Sequence, residues 1–430
     1  MIKTIIHMLR GADTIGGSCI KIQYGEESII LDYGMPLMAS GGAALDGRAV
    51  NDPSITNGIL LDVTGEGKPP LAFVISHAHP DHYGLVDFIP TDISVYVSEA
   101  AKALIGVGNI FYNESMRAKR ITSCETYIPG KSFGIGPFKI TAFLMDHSAF
   151  GACSILVEVG EKRIFYTGDF RGHGRKTAVN DYVINRVNQP DVMLMEGTTL
   201  DDGHPAIFPD EQSVEEAIVK LANNNMPIFV AGSGSNVDRL VSLYRAAKRT
   251  DRIFVIDLYQ AYLLDQLKPF SNSLPPHEDD HLRVYYPKNQ CSTIVEALGK
   301  EVLYQYKSRQ IKMNQIDFTS GKYIFKLSNF ISQKIMSRFI ESQLKPDLVY
   351  SMWQGYQEKQ SIFKKIATMV GNDWQYIHTS GHAYTKDLKK LAESIQPKKL
   401  IPIHTVKAKE FEKHFENIHI VENGKSVELD

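Results

Sequence analysis

The sequence lacks a strong charge imbalance, a disulfide framework and a long apolar segment. Its 430 residues carry 47 Lys and Arg against 49 Asp and Glu, for a net charge of −2, so any affinity for nucleic acid requires a local basic patch. The four cysteines, Cys19, Cys124, Cys153 and Cys291, include no CxxC pair, which argues against a zinc finger and fits a reducing cytoplasm. No apolar run approaches a membrane span, and the N-terminus lacks the apolar core of a signal peptide. We therefore expect a cytoplasmic, enzyme-like globular protein that does not associate with membranes.

The length of the chain, and a change along it in the pattern of predicted strands and helices, predict more than one domain. A chain of this length exceeds one ordinary core, so we expect two or three domains, or one domain inserted into another. The first part contains short β-rich runs such as "SCIKIQYG", "SIILDYG" and "LAFVISH". The middle and the end alternate strands with helices, as in "MPIFVAGSGSNVDRLVSLYRAAKR", which predicts a parallel sheet flanked by helices. The Gly-, Ala- and Pro-rich stretch at 35–70 reads as a loop or a small lid.

Four metal-capable side chains crowd the segment "SHAHPDHYG". They are His77, His79, Asp81 and His82, and they follow the apolar run 71–76, which is typical of a buried strand that ends at a ligand-binding loop. Imidazole nitrogens and carboxylate oxygens are ligands that zinc prefers. The simpler alternative is a polar turn with exposed histidines. A single histidine would favour that alternative, whereas four donors in this order favour a metal site.

Three further candidate ligands also stand directly after apolar β-like runs. His147 lies in "LMDHS", Asp169 in "FYTGDF" and His404 in "LIPIHT". A carboxylate such as Asp169 can bridge two cations with one oxygen on each. Taken singly, each residue is more often structural than a ligand, but their shared placement favours a common site.

The order HxHxDH, His, Asp, His resembles the metallo-β-lactamase superfamily. The resemblance implies an αββα sandwich with a dinuclear metal site at one edge. By that resemblance, one ion is held by His77, His79 and His147, the other by Asp81, His82 and His404, and Asp169 bridges the two. Zinc suits this donor set best, and manganese uses similar sites.

Further motifs resemble the β-CASP branch of that superfamily, which contains ribonuclease J. They are Glu196 in "MLMEGTTL", His382 in "HTSGHAYT", and the loop "GSGSNVDRL", in which Asp238 stands where the branch usually has histidine. The resemblance implies a β-CASP domain at 201–371, inserted into a metallo-β-lactamase domain formed by 1–200 and 372–430.

The function implied is hydrolysis of single-stranded RNA by a dinuclear phosphodiesterase. Hydroxide formed between two divalent ions, one of them held partly by Asp81, would attack phosphorus. His382 would protonate the leaving 3′ oxygen, and Glu196 would orient His382. Phosphate contacts are expected from Gly- and Ser-containing turns. These candidates are Ser233, Ser235, Asn236, Ser380 and Gly381.

Residues 281–340 form the strongest local basic patch. They carry ten Lys and Arg against three Asp and Glu. Aromatic residues are interleaved with these charges, among them Tyr285, Tyr286, Tyr304, Tyr306, Tyr323 and Phe325. Such a segment either binds RNA through charge and stacking or is an amphipathic layer whose aromatics are core. Two other functions stay open: a hydrolase of a small ester, thioester or nucleotide on the same fold, and a non-catalytic RNA-binding protein. A homodimer is also compatible with the sequence.

Overall fold

The computed structural model describes residues 2–37, 68–112, 118–201, 207–327, 332–354 and 361–429. Most of the loop expected at 35–70 lies outside these described residues. The chain divides into two compact units. The first consists of Met1–Gly203 with Gly381–Asp430, and the second of His204–Ser380. The second boundary falls later than the expected Gly371, because a strand at Trp374–Tyr376 is hydrogen-bonded to the sheet of the second unit.

The first unit begins with a seven-stranded sheet of spatial order β20-β1-β2-β3-β4-β5-β6. Pairing is antiparallel from β20 through β3 and parallel from β3 through β6. The strands are β1 Thr4–Arg10, β2 Cys19–Tyr24, β3 Glu27–Leu31, β4 Ala72–Val74, β5 Ser94–Ser98, β6 Glu125–Tyr127 and β20 Lys425–Leu429.

A second, six-stranded sheet has the order β19-β11-β10-β9-β8-β7. The three strands β19, β11 and β10 are parallel, and β10 through β7 are antiparallel. The strands are β7 Ser132–Ile135, β8 Phe138–Leu144, β9 Cys153–Val159, β10 Lys162–Tyr166, β11 Val192–Glu196 and β19 Lys399–Ile403.

The two sheets pack face to face, and helices cover their outer faces. One buried cluster joins Ile6 and Ile22 of the first sheet to Ile140 and Ile155 of the second. The helices of this unit are α1 Pro80–Tyr83, α2 Glu99–Phe111, α3 Thr177–Ile184 and α11 Thr385–Ile395. Helix α2 packs on the outer face of the first sheet, and α3 and α11 pack on that of the second. The predicted αββα sandwich is confirmed.

The second unit is built on a parallel seven-stranded sheet of order β15-β14-β13-β16-β12-β17-β18. Its central strands are buried and mainly apolar because helices cover both faces, and the buried Lys326 is an exception. The strands are β12 Ile228–Ala231, β13 Ile253–Asp257, β14 Leu282–Tyr285, β15 Gln310–Ile311, β16 Tyr323–Leu327, β17 Asp347–Tyr350 and β18 Trp374–Tyr376. The helices are α4 Glu211–Ala222, α5 Val237–Arg249, α6 Leu258–Leu267, α7 Lys288–Leu298, α8 Glu301–Gln305, α9 Ser332–Glu341 and α10 Ser361–Val370. The predicted parallel sheet flanked by helices is also confirmed.

Within the described part of the chain, no helix is both long and apolar enough to cross a membrane.

Candidate metal centre

The predicted ligands converge because their strands end at one edge of the sandwich. Asp169, Glu196 and His404 lie at or just after the ends of β10, β11 and β19, which are parallel neighbours. His147 follows β8, which runs in the same direction as β10 because both pair antiparallel with β9. His77 follows β4 of the other sheet. Residues far apart in sequence are therefore brought to one place.

Three histidines form the first group of donors. His79 Nδ1 lies 3.2 Å from His77 Nε2 and 3.0 Å from His147 Nε2. Nitrogens that bind one zinc ion tetrahedrally at about 2.1 Å lie roughly 3.4 Å apart, so the observed spacing fits a small cation between them. Asp169 completes this group, in which the four donor atoms lie within 4.8 Å of one another.

Asp81, His82 and His404 form a second group that shares Asp169. His404 Nε2 lies 3.2 Å from Asp81 Oδ2, and His82 Nε2 lies 3.1 Å from Asp169 Oδ2. Among the described residues, neither Asp169 oxygen nor His82 Nε2 has a well-directed hydrogen bond, although all three atoms are buried. Buried polar atoms are rarely left in this state. This donor set therefore fits two cations that share one carboxylate.

Hydrogen bonds behind the histidines fix which ring nitrogen faces the centre. His147 Nδ1 lies 2.6 Å from the Gly381 carbonyl oxygen, His82 Nδ1 lies 2.7 Å from Asp32 Oδ2, and His404 Nδ1 lies 2.8 Å from Thr198 Oγ1. A proton on each Nδ1 leaves Nε2 as the electron-pair donor. This is the arrangement that metal-ligating histidines use.

Asp32 was missed by the sequence reasoning. Its fully buried carboxylate binds His82 directly, and it accepts hydrogen bonds from the Ser76 amide at 2.6 Å, the Ser76 hydroxyl at 2.8 Å and the Tyr166 hydroxyl at 2.6 Å. Ser76 Oγ in turn lies 3.0 Å from His77 Nδ1. The available signal was its position after the apolar run of "SIILDYG", in β3, which pairs with β4 in parallel.

Burial and neighbouring charges set the pKa values, and hence the protonation states, of the candidate metal donors. Burial lowers the pKa of His77 and His147 well below the usual value, and lowers the pKa of His79 to about 4. Burial would raise the pKa of Asp169, but the surrounding His404, His82 and His382 outweigh it and hold that pKa well below its usual range. At neutral pH the first group therefore offers neutral imidazoles and an ionised carboxylate. Burial would lower the pKa of His82, but Asp169 and Asp32 outweigh it and raise that pKa well above the usual value, so a cation bound at His82 would replace a proton.

His382 and Glu196 lie beside the two donor groups. His382 Nδ1 is 3.3 Å from Glu196 Oε1 and 3.7 Å from Asp169 Oδ2. Burial opposes the charged form of His382, but Glu196 and Asp169 outweigh it and raise its pKa to about 9. Cations that neutralise Asp169 would reduce this increase. Glu196 is fully buried and also accepts the Phe170 amide at 3.0 Å.

The residues expected to bind phosphate are distributed over both units. Ser233, Ser235 and Asn236 belong to the second unit, between β12 and α5. The two hydroxyl oxygens lie 2.9 Å apart, and Asn236 Oδ1 caps α5 by accepting the Arg239 amide at 3.1 Å. Ser380 ends the second unit, whereas Gly381 resumes the first.

The basic segment 281–340 contributes fewer aromatics to the surface than its sequence suggests. Tyr306, Tyr323 and Phe325 are buried, the last two because β16 is a central strand of the parallel sheet. For these three residues the core interpretation holds. Tyr304 is 58% exposed and lies beside Lys307, whose ammonium is 5.7 Å from the ring centre.

Two family models match separate segments of the chain, and both matches lie mainly in the first unit. The beta-lactamase superfamily domain matches residues 61–226, and the Zn-dependent metallo-hydrolase RNA specificity domain matches residues 373–428. The second match contains His382 and His404.

Among curated proteins, similar relatives are bacterial ribonucleases J. That of Mycolicibacterium smegmatis is 25% identical over 385 residues, covering 83% of this chain and 64% of the relative. That of Helicobacter pylori is 21% identical over 453 residues, covering 98% and 60%. The chain thus spans less than two thirds of the length of these relatives.

A solved structure of a protein of unknown function from Enterococcus faecalis shares the fold over almost its full length. The TM-score is 0.77 at 20% identity, with 99% of this chain and 100% of that chain covered.

Proposed function

Because the chain belongs to the β-CASP branch of the metallo-β-lactamase superfamily and resembles ribonuclease J, we propose that it is a dinuclear metal-dependent phosphodiesterase that hydrolyses single-stranded RNA. The observation that carries this proposal is the geometry around Asp169. Two groups of buried donors share this carboxylate, and a histidine–glutamate pair stands beside it.

The first ion would be held by the three histidines of the first group, and the second by Asp81, His82 and His404. Asp169 would contact both. Zinc suits the nitrogen-rich donor set, and manganese is the alternative that similar ligands accept. When bound, two such ions lower the pKa of water and neutralise charge that develops on phosphoryl oxygens.

His382 would supply the proton that the leaving 3′ oxygen needs as its bond to phosphorus breaks. Its place beside Glu196 favours the charged, proton-bearing ring, because the buried carboxylate stabilises that form. Glu196 also holds the ring in one orientation, since its other contacts are backbone amides of Phe170 and Thr198.

The proposed RNA contacts lie on both units. The hydroxyls of Ser233 and Ser235 and the amides at the start of α5 are suited to a phosphate of the substrate. Ser380 and Gly381 would offer further donors through their amides and, for Ser380, its hydroxyl. The Gly381 carbonyl already accepts from His147, so this glycine would contribute to substrate binding through its N–H group alone.

The test is cleavage of a 5′-monophosphorylated, fluorescently labelled single-stranded RNA with zinc or manganese. The Asp81→Ala, His82→Ala double variant removes two donors of the second group. We expect cleavage by the wild type and a loss of at least a hundredfold in the variant, because a two-ion site would be left with one ion.

Two results would contradict the proposal. Equal cleavage by both proteins would mean a contaminating nuclease or a different site. An intact two-metal protein that does not cleave RNA would favour hydrolysis of a small ester, thioester or nucleotide.

A further inference from the structure

The segment "RGHG", residues 171–174, directly follows the Asp169–Phe170 pair and has no part in the chemistry above. Its histidine is buried, with a side chain only 2% exposed. His173 Nδ1 lies 3.1 Å from Asp387 Oδ2, and the His173 ring stacks on Tyr384 with centres 4.2 Å apart and planes at 18°. His173 therefore contacts the loop that follows His382.

Asp387 contacts both segment 171–174 and the segment that follows His382. Its Oδ2 also accepts the amides of Gly172 and Tyr384, each at 3.3 Å. Burial raises the pKa of Asp387, but His173 outweighs that effect and lowers it. An ionised carboxylate can only accept hydrogen bonds, so His173 must donate its Nδ1–H.

The contact between the loops is too close to tolerate a side chain at Gly172 or Gly174. A Cβ at Gly172 would lie 2.4 Å from Asp387 Oδ1, and one at Gly174 would lie 2.2 Å from Asp146 Oδ1. Asp146 precedes His147, and its carbonyl accepts the Arg171 amide at 2.6 Å. Segment 171–174 is thus packed between Asp146, which precedes the candidate ligand His147, and helix α11, which follows His382.

Several hydrogen bonds hold the backbone around His382. The Gly381 carbonyl accepts from His147 at 2.6 Å, the Ala383 carbonyl accepts from Thr199 Oγ1 at 2.6 Å, and the Tyr384 amide donates to Asp387. The last of these anchors uses the Asp387 carboxylate oxygen that also accepts from His173, so it is the anchor that His173 contacts directly. Glu196 fixes the ring of His382 but not this backbone.

We infer that His173 is a positioning residue for His382, acting through Asp387 and the Tyr384 amide. This inference rests on the proposed function, in which His382 protonates the leaving oxygen. A displacement of about 1 Å of a reacting group can cost a hundredfold in rate. Loss of the His173–Asp387 hydrogen bond or of the stacking on Tyr384 is therefore expected to slow turnover by shifting His382. No contact of His173 with substrate is required.

The test compares two substrates that differ in their need for an acid. The leaving 3′ oxygen of RNA needs a proton, whereas the p-nitrophenolate that leaves bis(p-nitrophenyl) phosphate does not. His173→Phe retains an aromatic ring against Tyr384 but removes the N–H donor. We expect kcat for RNA to fall by about tenfold or more, with KM, bound metal and hydrolysis of the nitrophenyl ester changed by less than about twofold.

Two control variants separate positioning from general damage. His173→Asn restores an N–H donor near the Nδ1 position and is expected to recover most of the RNA activity. His277→Phe removes a comparable pair in the second unit, where His277 Nδ1 lies 2.9 Å from Asp265 Oδ1, and should leave both activities unchanged. Equal losses on both substrates in His173→Phe, or no loss on either, would overturn the inference.

If the wild type cleaves neither substrate, the proposed function is refuted. The positioning role of His173 can then still be tested by a measurement that needs no turnover. In metal-free protein labelled with ¹⁵N-histidine, the Nδ1–H proton of His382 is assigned by its absence in His382→Ala. Faster exchange of this proton by about tenfold or more in His173→Phe, but not in His277→Phe, is expected if His173 positions the ring. Unchanged exchange would refute the positioning role.

Discussion

At the scale of single residues, the site depends on residues that hydrogen-bond to the candidate metal donors and orient them. Asp32 is the main example, because one buried carboxylate orients His82 directly and His77 through Ser76. Its backbone φ of 59° lies in the left-handed region, which Asp and Asn tolerate better than other side chains. A substitution by asparagine therefore tests the charge without adding backbone strain.

We predict that Asp32→Asn lowers metal affinity by roughly tenfold to a hundredfold, as loss of such outer contacts does in other metal sites. The amide cannot accept from His82 with the strength of a carboxylate, so the ring loses its preferred tautomer. Competition with a chromophoric chelator measures the affinity. Tyr166→Phe, which removes a different donor to the same carboxylate, should have a smaller effect, and equal affinities in all three proteins would contradict the prediction.

At the scale of elements, the segment after β3 lies directly against α1, which carries Asp81 and His82. The Tyr33 amide donates to the His82 carbonyl at 2.9 Å, and the Met35 amide donates to the Pro80 carbonyl at 2.9 Å. Gly34 makes this approach possible, because a Cβ there would lie 1.7 Å from the Asp81 carbonyl oxygen. The backbone of the short helix has no freedom to move away without displacing its ligands.

Gly34→Ala is accordingly expected to destabilise the protein by about 2 kcal/mol or more, within or above the usual range for overpacking, and to reduce bound metal. Chemical denaturation and metal analysis of the purified variant measure the two effects. Gly106→Ala, where nothing lies within 4 Å of the added Cβ, is the matched control in helix α2. It should be neutral or stabilise by up to about 1 kcal/mol, and a similar loss in both variants would refute the packing argument.

At the scale of the whole molecule, the first unit is formed by two separate segments of the chain. The closing segment supplies β19, which pairs with β11, and β20, which pairs with β1. It also supplies Ile401, Ile403 and Val427 to the core between the sheets. The second unit, in contrast, is continuous in sequence and has its own sheet and core.

A fragment of residues 204–380 is therefore expected to fold by itself, because one sheet and one core lie entirely within it. A cooperative thermal transition in circular dichroism would show this. The fragment 1–203 lacks β19 and β20 and should neither unfold cooperatively nor bind two ions. The prediction would be wrong if fragment 1–203 unfolded cooperatively and fragment 204–380 were disordered.

The sequence alone determined which residues are candidates for the site and which elements carry them. The motif at His77–His82 and the apolar runs before His147, Asp169 and His404 are local patterns, and local patterns are what periodicity and residue type report. The alternation of strands and helices likewise predicted the parallel sheet of the second unit, because a helix between two strands returns the chain so that the strands run in the same direction.

The tertiary structure decided what depends on contacts between distant segments. Asp32 reads as an ordinary strand-end carboxylate until β3 and β4 pair and bring it to Ser76 and His82. His173 could equally contact substrate or shape its own loop, until folding buries it against Asp387 and Tyr384. The sequence left open whether Tyr323 and Phe325 are stacking surfaces or core residues. They are core residues, because strand order is set by packing of the whole sheet rather than by any one segment.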